Sequence, residues 1–260
     1  MPKGPGGVLL LGLGMAPDTA PSPAQRSVIE PADKRAIAFV DGQNLYRHAI
    51  PAFGVTHPNY DVLALSRKVC ELGGWSLKQV RFYTGVPAPN EDPFWHNFWS
   101  KKLLTLKRQG VHVFSRRLRY RNRKIRLKDG TEHEIRVAEE KGIDVRIALD
   151  ILRLALNNDL DVAVVFSQDQ DMSEVADELK QISRRENRWI KMVSAFPDSA
   201  TSSNTAAAST TPSGFGLILP RITSALIQGI IDSRYLHPGF GAAFGSLFGC
   251  GGVPNSFFST

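Results

Sequence analysis

The sequence predicts an α/β fold built around a mainly parallel sheet, and two observations carry that expectation. Short apolar runs of strand character recur at residues 36–40, 80–83, 111–114 and 162–166. Between them lie segments whose apolar residues return at helical spacing, and strands that alternate with helices are the pattern of a parallel sheet.

Residues 36–40 form the first apolar strand, followed by a segment containing Asn44, Leu45 and Tyr46. Asp61 is placed to cap a helix that runs to Leu72 and is closed by Gly73 and Gly74. After the strand at 80–83, Asp92 and Pro93 open a second helix. Its apolar side is expected to carry Phe94, Phe98, Leu103 and Leu106, and Gly110 stops it. The strand at 111–114 precedes two β-like runs around Lys128, Asp129 and Gly130, which is hairpin-turn chemistry. Ile147, Ile151, Leu154 and Ala155 define a helix over 143–156. The strand at 162–166, a helix through 175–182 and a last strand at 189–193 complete the pattern.

This regular region spans residues 35–197 and reads as one domain. Residues 1–34 hold Gly and Pro without apolar periodicity and are expected to be a disordered extension. The apolar run at 6–13 is too short and glycine-rich for a secretory leader. Residues 198–260 carry only Asp198, Arg221, Asp232 and Arg234 as charged groups and are rich in Ser, Thr, Ala and Gly. This tail is expected to be poorly ordered, and its function is not legible. Pro220 and Arg221 interrupt its apolar stretch at 214–231, so no membrane span is expected.

Composition narrows the function classes. With 42% hydrophobic and 22% charged residues the chain is of the globular type. A formal charge of +7 and a pI near 9.5 favour a polyanionic partner. Cys70 and Cys250, far apart and without histidines at ligand spacing, argue against a disulfide framework or a zinc site. A reducing, cytoplasmic setting is therefore expected.

Ligand sites in open parallel sheets form outside the carboxyl ends of the strands. Asp41 directly follows the first strand, with Gly42 allowing the exit, and Asp169 and Asp171 follow the strand at 162–166. Asp144 stands at the entrance of the helix that begins at 143. These four carboxylates are expected at one edge. Clustered carboxylates repel one another, so a cation or a proton must neutralise them. Hard divalent ions such as Mg²⁺ take oxygen ligands, activate water and stabilise charge on a phosphodiester. Asn44 adds an amide oxygen that could ligate or hold water. Asp150, six positions beyond Asp144, is expected on another face, in a structural role.

The segments Phe39-Val40-Asp41-Gly42-Gln43-Asn44-Leu45, Glu140-Lys141-Gly142-Ile143-Asp144-Val145 and Phe166-Ser167-Gln168-Asp169-Gln170-Asp171 resemble the three signature blocks of the NYN family, a PIN-like, LabA-like branch of nucleases. Their order and spacing match, as does Ala195-Phe196-Pro197 after the last strand. The resemblance covers about residues 35–197. It implies a PIN-like Rossmannoid fold, Mg²⁺- or Mn²⁺-dependent RNA cleavage, and an acidic pocket of Asp41, Asn44, Asp144, Asp169 and Asp171, with the four aspartates as metal ligands. In the third block, Gln168, Gln170 and Met172 replace the family's usual small residues and Phe. The nearly uncharged tail also departs from the family's polar continuation.

Substrate binding is expected from a basic hairpin insertion. Eight Arg and Lys residues crowd positions 116–128, and strand alternation puts Arg117, Arg119, Arg121 and Arg123 on one face as a phosphate track. The competing role is a solvated arm whose charges pair with Glu132, Glu134, Glu139 and Glu140. Trp95 and Trp99, four apart, are expected in the core. The histidines show no ligand spacing. The sequence thus predicts a metal-dependent endoribonuclease acting on single-stranded RNA, with homo-oligomerisation open. The alternative is a catalytically weak or inactive RNA-binding adaptor on the same fold. A haloacid-dehalogenase-type phosphatase is disfavoured because Gln43 occupies its second aspartate position, and a dinucleotide enzyme because no glycine fingerprint follows the first strand.

Overall fold

The structure is a computed structural model, and it describes residues 28–53, 60–128 and 130–197. The expectations for residues 1–27, for the tail at 198–260 and for Asp129 lie outside the described residues. Twelve elements follow in order: β1 (Arg35–Asp41), α1 (Gly42–Phe53), α2 (Val62–Gly73), β2 (Ser76–Val86), α3 (Pro93–Arg108), β3 (His112–Arg117), β4 (Arg119–Arg126), β5 (Glu132–Glu139), α4 (Ile143–Leu156), β6 (Val162–Phe166), α5 (Met172–Glu186) and β7 (Lys191–Ser194).

Five strands form one parallel sheet in the order β3-β2-β1-β6-β7, and β4 and β5 form a separate antiparallel ribbon. The chain is an α/β domain with helices on both faces of the parallel sheet. β1 is central because it is apolar on both faces: Ala36, Ala38 and Val40 face one layer, Ile37 and Phe39 the other. The first layer packs α1, α2 and α3 through Leu45, Leu65, Val69, Trp95, Trp99, Leu103 and Leu106. The second packs α4 and α5 through Ile143, Ile147, Ile151, Val175, Leu179 and Ile182. Among the described residues no helix is long and apolar enough to cross a membrane.

Local chemistry sets the helix ends. Asp61 Oδ1 accepts from the backbone N–H groups of Leu63 and Ala64, each at 2.9 Å, and Gly74 closes α2 at φ 68°. Asp92 caps α3 through the Trp95 N–H at 3.0 Å. The apolar side of α3 differs from expectation. Trp95 and Trp99 are buried with Leu103 and Leu106, whereas Phe94 is 61% exposed, one step round the helix from the buried stripe. The segment after β1 is a helix that tolerates Pro51.

The sheet order reverses direction between β1 and β6. From β1 the chain adds β2 and β3 on one side, then β6 and β7 on the other. Such a switch point leaves a crevice at the carboxyl ends of the two central strands. Val40 pairs with Phe166 there, so Asp41 and the loop after β6 emerge side by side.

Candidate active site

At this crevice lies an open cleft of about 610 Å³. Asp41, Gln43, Asn44, Arg47 and His48 line it from the β1–α1 junction. Arg123, Val137, Ala138 and Glu139 come from the ribbon, and residues 140–144 and Asp169 complete it. Asp41, Asn44, Asp144 and Asp169 therefore share one cavity. Asp171 does not line it: it is exposed at the start of α5, and its backbone N–H donates to Asp169 Oδ1 at 3.0 Å.

Asp41 is held by the first turn of α1. Its Oδ1 accepts from the N–H groups of Gln43 at 3.1 Å and Asn44 at 2.9 Å, as a helix cap does. Gly42 is required by space: a Cβ there would sit 2.6 Å from Phe82 Cζ. Asn44 Oδ1 accepts from the Gln168 N–H at 2.9 Å and so ties the loop after β6 to α1. Its oxygen is thus engaged in positioning that loop, and Asp169 with it, rather than turned wholly to a ligand. Gly142, at φ 73°, opens α4 in a backbone conformation that other residues rarely adopt, and Asp144 follows in the first turn. There the helix dipole favours its charge.

Burial and mutual repulsion make the cleft electrostatically unbalanced. Burial pushes the Asp41 carboxyl up to about 6, and the charge of Asp169 adds to this against the two backbone N–H groups. Glu140 is pushed up to about 8, first by burial and then by Asp41, with Asp144 adding further; the Gly85 N–H and Arg47 oppose the rise. Glu140 accepts a hydrogen bond from the Gly85 N–H, which pins the β5–α4 loop to the end of β2. His48 is lowered, mainly by its own burial and then by Arg47, so its imidazole favours the neutral form.

Sequence reasoning missed Glu140, Gln43, Arg47 and His48. The competing role for the hairpin gave Glu140 to neutralising its charges, but Glu140 lines the cleft while Glu139 takes Arg121 and Arg123. The missed signal was its place in the same signature block as Asp144. Helical spacing from Asp41 and Asn44 would have found His48 once the segment was read as a helix. Gln43 is 7% exposed, and its Nε2 has no hydrogen-bond partner.

The basic ribbon is exposed over most of its length, and Tyr120, Val137, Ala138 and Glu139 are half-buried at its base. Arg119, Arg121 and Arg123 lie on one face of β4, and Arg123 reaches the cleft. Arg117 is the last residue of β3, separated from them by buried Leu118. Glu139 pairs with both Arg121 and Arg123 at 3.2 Å, so the neutralising role foreseen for the acidic strand is partly realised. Asp150 is on the buried face of α4, 2% exposed, accepting from Tyr83 Oη at 2.9 Å and flanked by Arg146 and Arg153 at 3.0 Å and Arg81 at 3.5 Å.

The donor set is one of carboxylate oxygens, which suits a hard divalent cation. Among the described residues no three His, Cys, Asp or Glu side chains stand within joint reach of one ion. Mg²⁺ needs no such cage, because it keeps several waters and is commonly held by one or two carboxylates together with substrate phosphates. The residues thus fit the ion in kind.

A parallel five-stranded sheet with an acidic cleft at its switch point defines a domain with a nuclease-like fold. The NYN domain model matches residues 35–212, and the chain belongs to that family. PIN-like nucleases of this kind generally depend on a divalent metal. No curated protein matches the chain. Two solved structures are similar to it. One is a protein of unknown function from Vibrio parahaemolyticus, 22% identical, with a TM-score of 0.40 over 65% of this chain and 85% of that one. The other is a ribokinase from Giardia lamblia, 11% identical, with a TM-score of 0.29 over 66% of this chain and 53% of that one. Neither likeness bears on activity.

Proposed function

We propose that the chain is a divalent-metal-dependent endoribonuclease that hydrolyses RNA phosphodiester bonds in the cleft of Asp41, Asp144 and Asp169. The observation that carries this reading is the crowding of carboxylates in one cleft. Buried Asp41 and half-buried Glu140 stand with Asp144 and Asp169 in a mouth where acids outnumber Arg47, Arg123 and Lys141. Burial and mutual repulsion push Asp41 and Glu140 above the ordinary carboxylate range. Asp41 with Asp144 or Asp169 would hold Mg²⁺ or Mn²⁺. The bound ion would supply an acidified water and neutralise charge on the phosphate. Asp171, exposed beside the cleft, is assigned a supporting role through Asp169 rather than a ligand's place.

The protein's own groups do the rest. Gln43, whose side chain accepts from Arg47 at 3.3 Å, fixes that guanidinium at the wall of the cleft. Asn44 holds the loop that carries Asp169. Arg123 at the rim, with Arg119 and Arg121 along the same ribbon face and Arg117 just before it, binds the RNA backbone without reading sequence. An open cleft suits a single strand.

The test is a cleavage assay on RNA and DNA substrates titrated with Mg²⁺ and Mn²⁺, for the wild type and for Asp41→Asn and Asp169→Asn. Cleavage of single-stranded RNA is expected only with metal and only in the wild type, with RNA binding retained in both variants. Unchanged cleavage in both would place the activity elsewhere. The second reading, an RNA-binding adaptor with little turnover, is favoured by the absence of a preassembled three-ligand cluster among the described residues. Metal-independent binding without cleavage in that assay would select it.

A further inference from the structure

On the face of the sheet where α4 and α5 pack, the edge strand β3 is left open among the described residues. Helix α4 lies over β1 and β2 and α5 over β7, while α3 packs on β3 from the other face. His112, Phe114 and Arg116 alternate along β3 toward the open side, beside Arg81, Tyr83 and Gly85 of β2. A strip between β3 and α4 results, and its charge is one-sided. Strands β2 and β3 contain no acid, and α4 has only Asp144, which lines the cleft, and Asp150. Asp150 answers three guanidiniums, those of Arg81, Arg146 and Arg153, and Arg116 adds a fourth positive charge. The Nε–H groups of Arg81 and Arg146 are buried without an acceptor.

The positive groups form a row that starts at the cleft. The Arg116 guanidinium lies against Gly142, a cleft-lining residue where a Cβ would fall 2.6 Å from Arg116 Nη1. Arg116 and Arg146 both pack over the Phe114 ring, 5.5 and 4.9 Å from its centre, a cation–π contact that holds the two guanidiniums in place. Arg146 and Arg153 follow two turns apart on α4, their side chains 33% and 56% exposed. From Gly142 to Arg153 the helix rises about 16 Å. Acids outside these elements stand elsewhere. Glu140, bonded to the Gly85 N–H, belongs to the cleft at the head of the row, Asp159 beyond the helix acts on Arg35, and the mixed charges of α5 lie on the far side of α4.

We propose that this strip is a second path for the RNA backbone, apart from the ribbon: one flank of the strand leaves the cleft past Gly142 and lays its phosphates along Arg116, Arg146 and Arg153. The inference rests on the RNA cleavage proposed above and adds where the strand runs outside the cleft. Continuity chooses the occupant. A polymer with one phosphate in the cleft must leave it, and this row of guanidiniums begins at the cleft wall. Asp150 needs nothing more, but the surplus positive charge around it does, and phosphates supply the acceptors. Such contacts track a single strand without reading its sequence.

Fluorescence anisotropy of a labelled single-stranded RNA of about 20 nucleotides, titrated with the full chain in EDTA over a salt series, tests the path without catalysis. Arg116→Gln with Arg153→Gln is expected to weaken binding by about tenfold and to lower the salt slope by about 1.4, the share of two lost phosphate contacts. Arg116→Lys with Arg153→Lys should restore both, which a mere loss of fold would not allow. Arg184→Gln with Arg185→Gln, which takes the same charge from α5, should leave the slope unchanged. A wild type that binds and cleaves RNA while the Arg116–Arg153 glutamine pair binds equally well overturns the path alone, and the strip then fits an acidic protein instead. An effect that lysine does not restore, or that the α5 pair reproduces, overturns it as well. A wild type that neither binds nor cleaves RNA overturns the functional reading on which the path stands.

Discussion

Asp150, on the buried face of helix α4, and the pair Asp41 and Glu140, in the cleft at the start of that helix, are carboxylates whose surroundings differ in one respect. Asp150 has a phenol and three guanidinium groups around it, so its charge is matched where it stands. Asp41 and Glu140 have backbone N–H donors and, at a greater remove, Arg47, but they also face Asp169, Asp144 and each other. For its carboxylate, the first arrangement is complete within the chain; on the function proposed above, the second is completed by a cation. The same residue type is charge-matched in one place and crowded by like charge in the other because of what the neighbouring elements supply.

The sharpest way to break this comparison is to neutralise the central member of each group. Asp41→Asn is expected to lower metal-dependent RNA cleavage by about a thousandfold or more, equivalent to roughly 4 kcal/mol of barrier. The same change should leave the metal-free protein folded and no less stable, since it removes repulsion, and thermal melting beside the cleavage assay checks both. Asp150→Ala should do the reverse. It strands three arginines around a buried site and is expected to cost about 3–5 kcal/mol in urea unfolding. Any residual activity should scale with the folded fraction.

Glu140 tests the sign of the cleft's acidity. Its carboxyl and that of Asp41 titrate higher in the fold than in the unfolded chain, so the native state holds the extra protons. Stability is therefore fully present below the ordinary carboxyl range and falls as pH rises through about 6 and then about 8. Glu140→Gln keeps an acceptor for the Gly85 N–H, and it should flatten the upper part of that fall, gaining of order 1–3 kcal/mol near pH 9. Melting curves from pH 5 to pH 9 without metal read this directly, and a slope unchanged by the substitution would show that Glu140 is not the group responsible. The smallest effect belongs to the ribbon. Because Glu139 already pairs with Arg121 and Arg123, replacing Arg119, Arg121 and Arg123 by Gln should weaken RNA binding by only about tenfold and lower its salt slope by less than three charges. An identical slope would mean that the ribbon does not touch phosphate.

The fold was largely legible in the sequence because its central strands β1 and β6 are apolar on both faces and α2 and α3 carry their own N-caps. Residues 36–40 and 162–166 could belong to little but central strands, and Asp61 and Asp92 mark helix starts that the structure places at the next residue. The side of α3 was harder to read. Its aromatic residues occupy four of the first seven positions, so periodicity could not choose between Phe94 and Trp95 until β2 supplied Phe82 as a partner for Trp99. Of the candidate site, the aspartates after β1 and β6 follow from the rule for carboxyl ends of strands. Glu140 does not, because its place depends on how the ribbon ends and on the Gly85 N–H that meets it, a contact 55 residues apart. Asp171 shows the converse: two positions from Asp169, it is near in sequence, yet it turns outward at the start of α5.

Calorimetric titration of the protein with Mn²⁺, in buffers of different ionisation enthalpy near pH 6.5, tests the central claim most directly. Mn²⁺ is expected to bind the wild type with release of protons, as Asp41 and Glu140 give up theirs to a cation, and to lose this binding in Asp41→Asn but not in Asp150→Asn. Binding that releases no protons, or that survives Asp41→Asn unchanged, would contradict the view that this cleft is a cation site kept incomplete by its own charge.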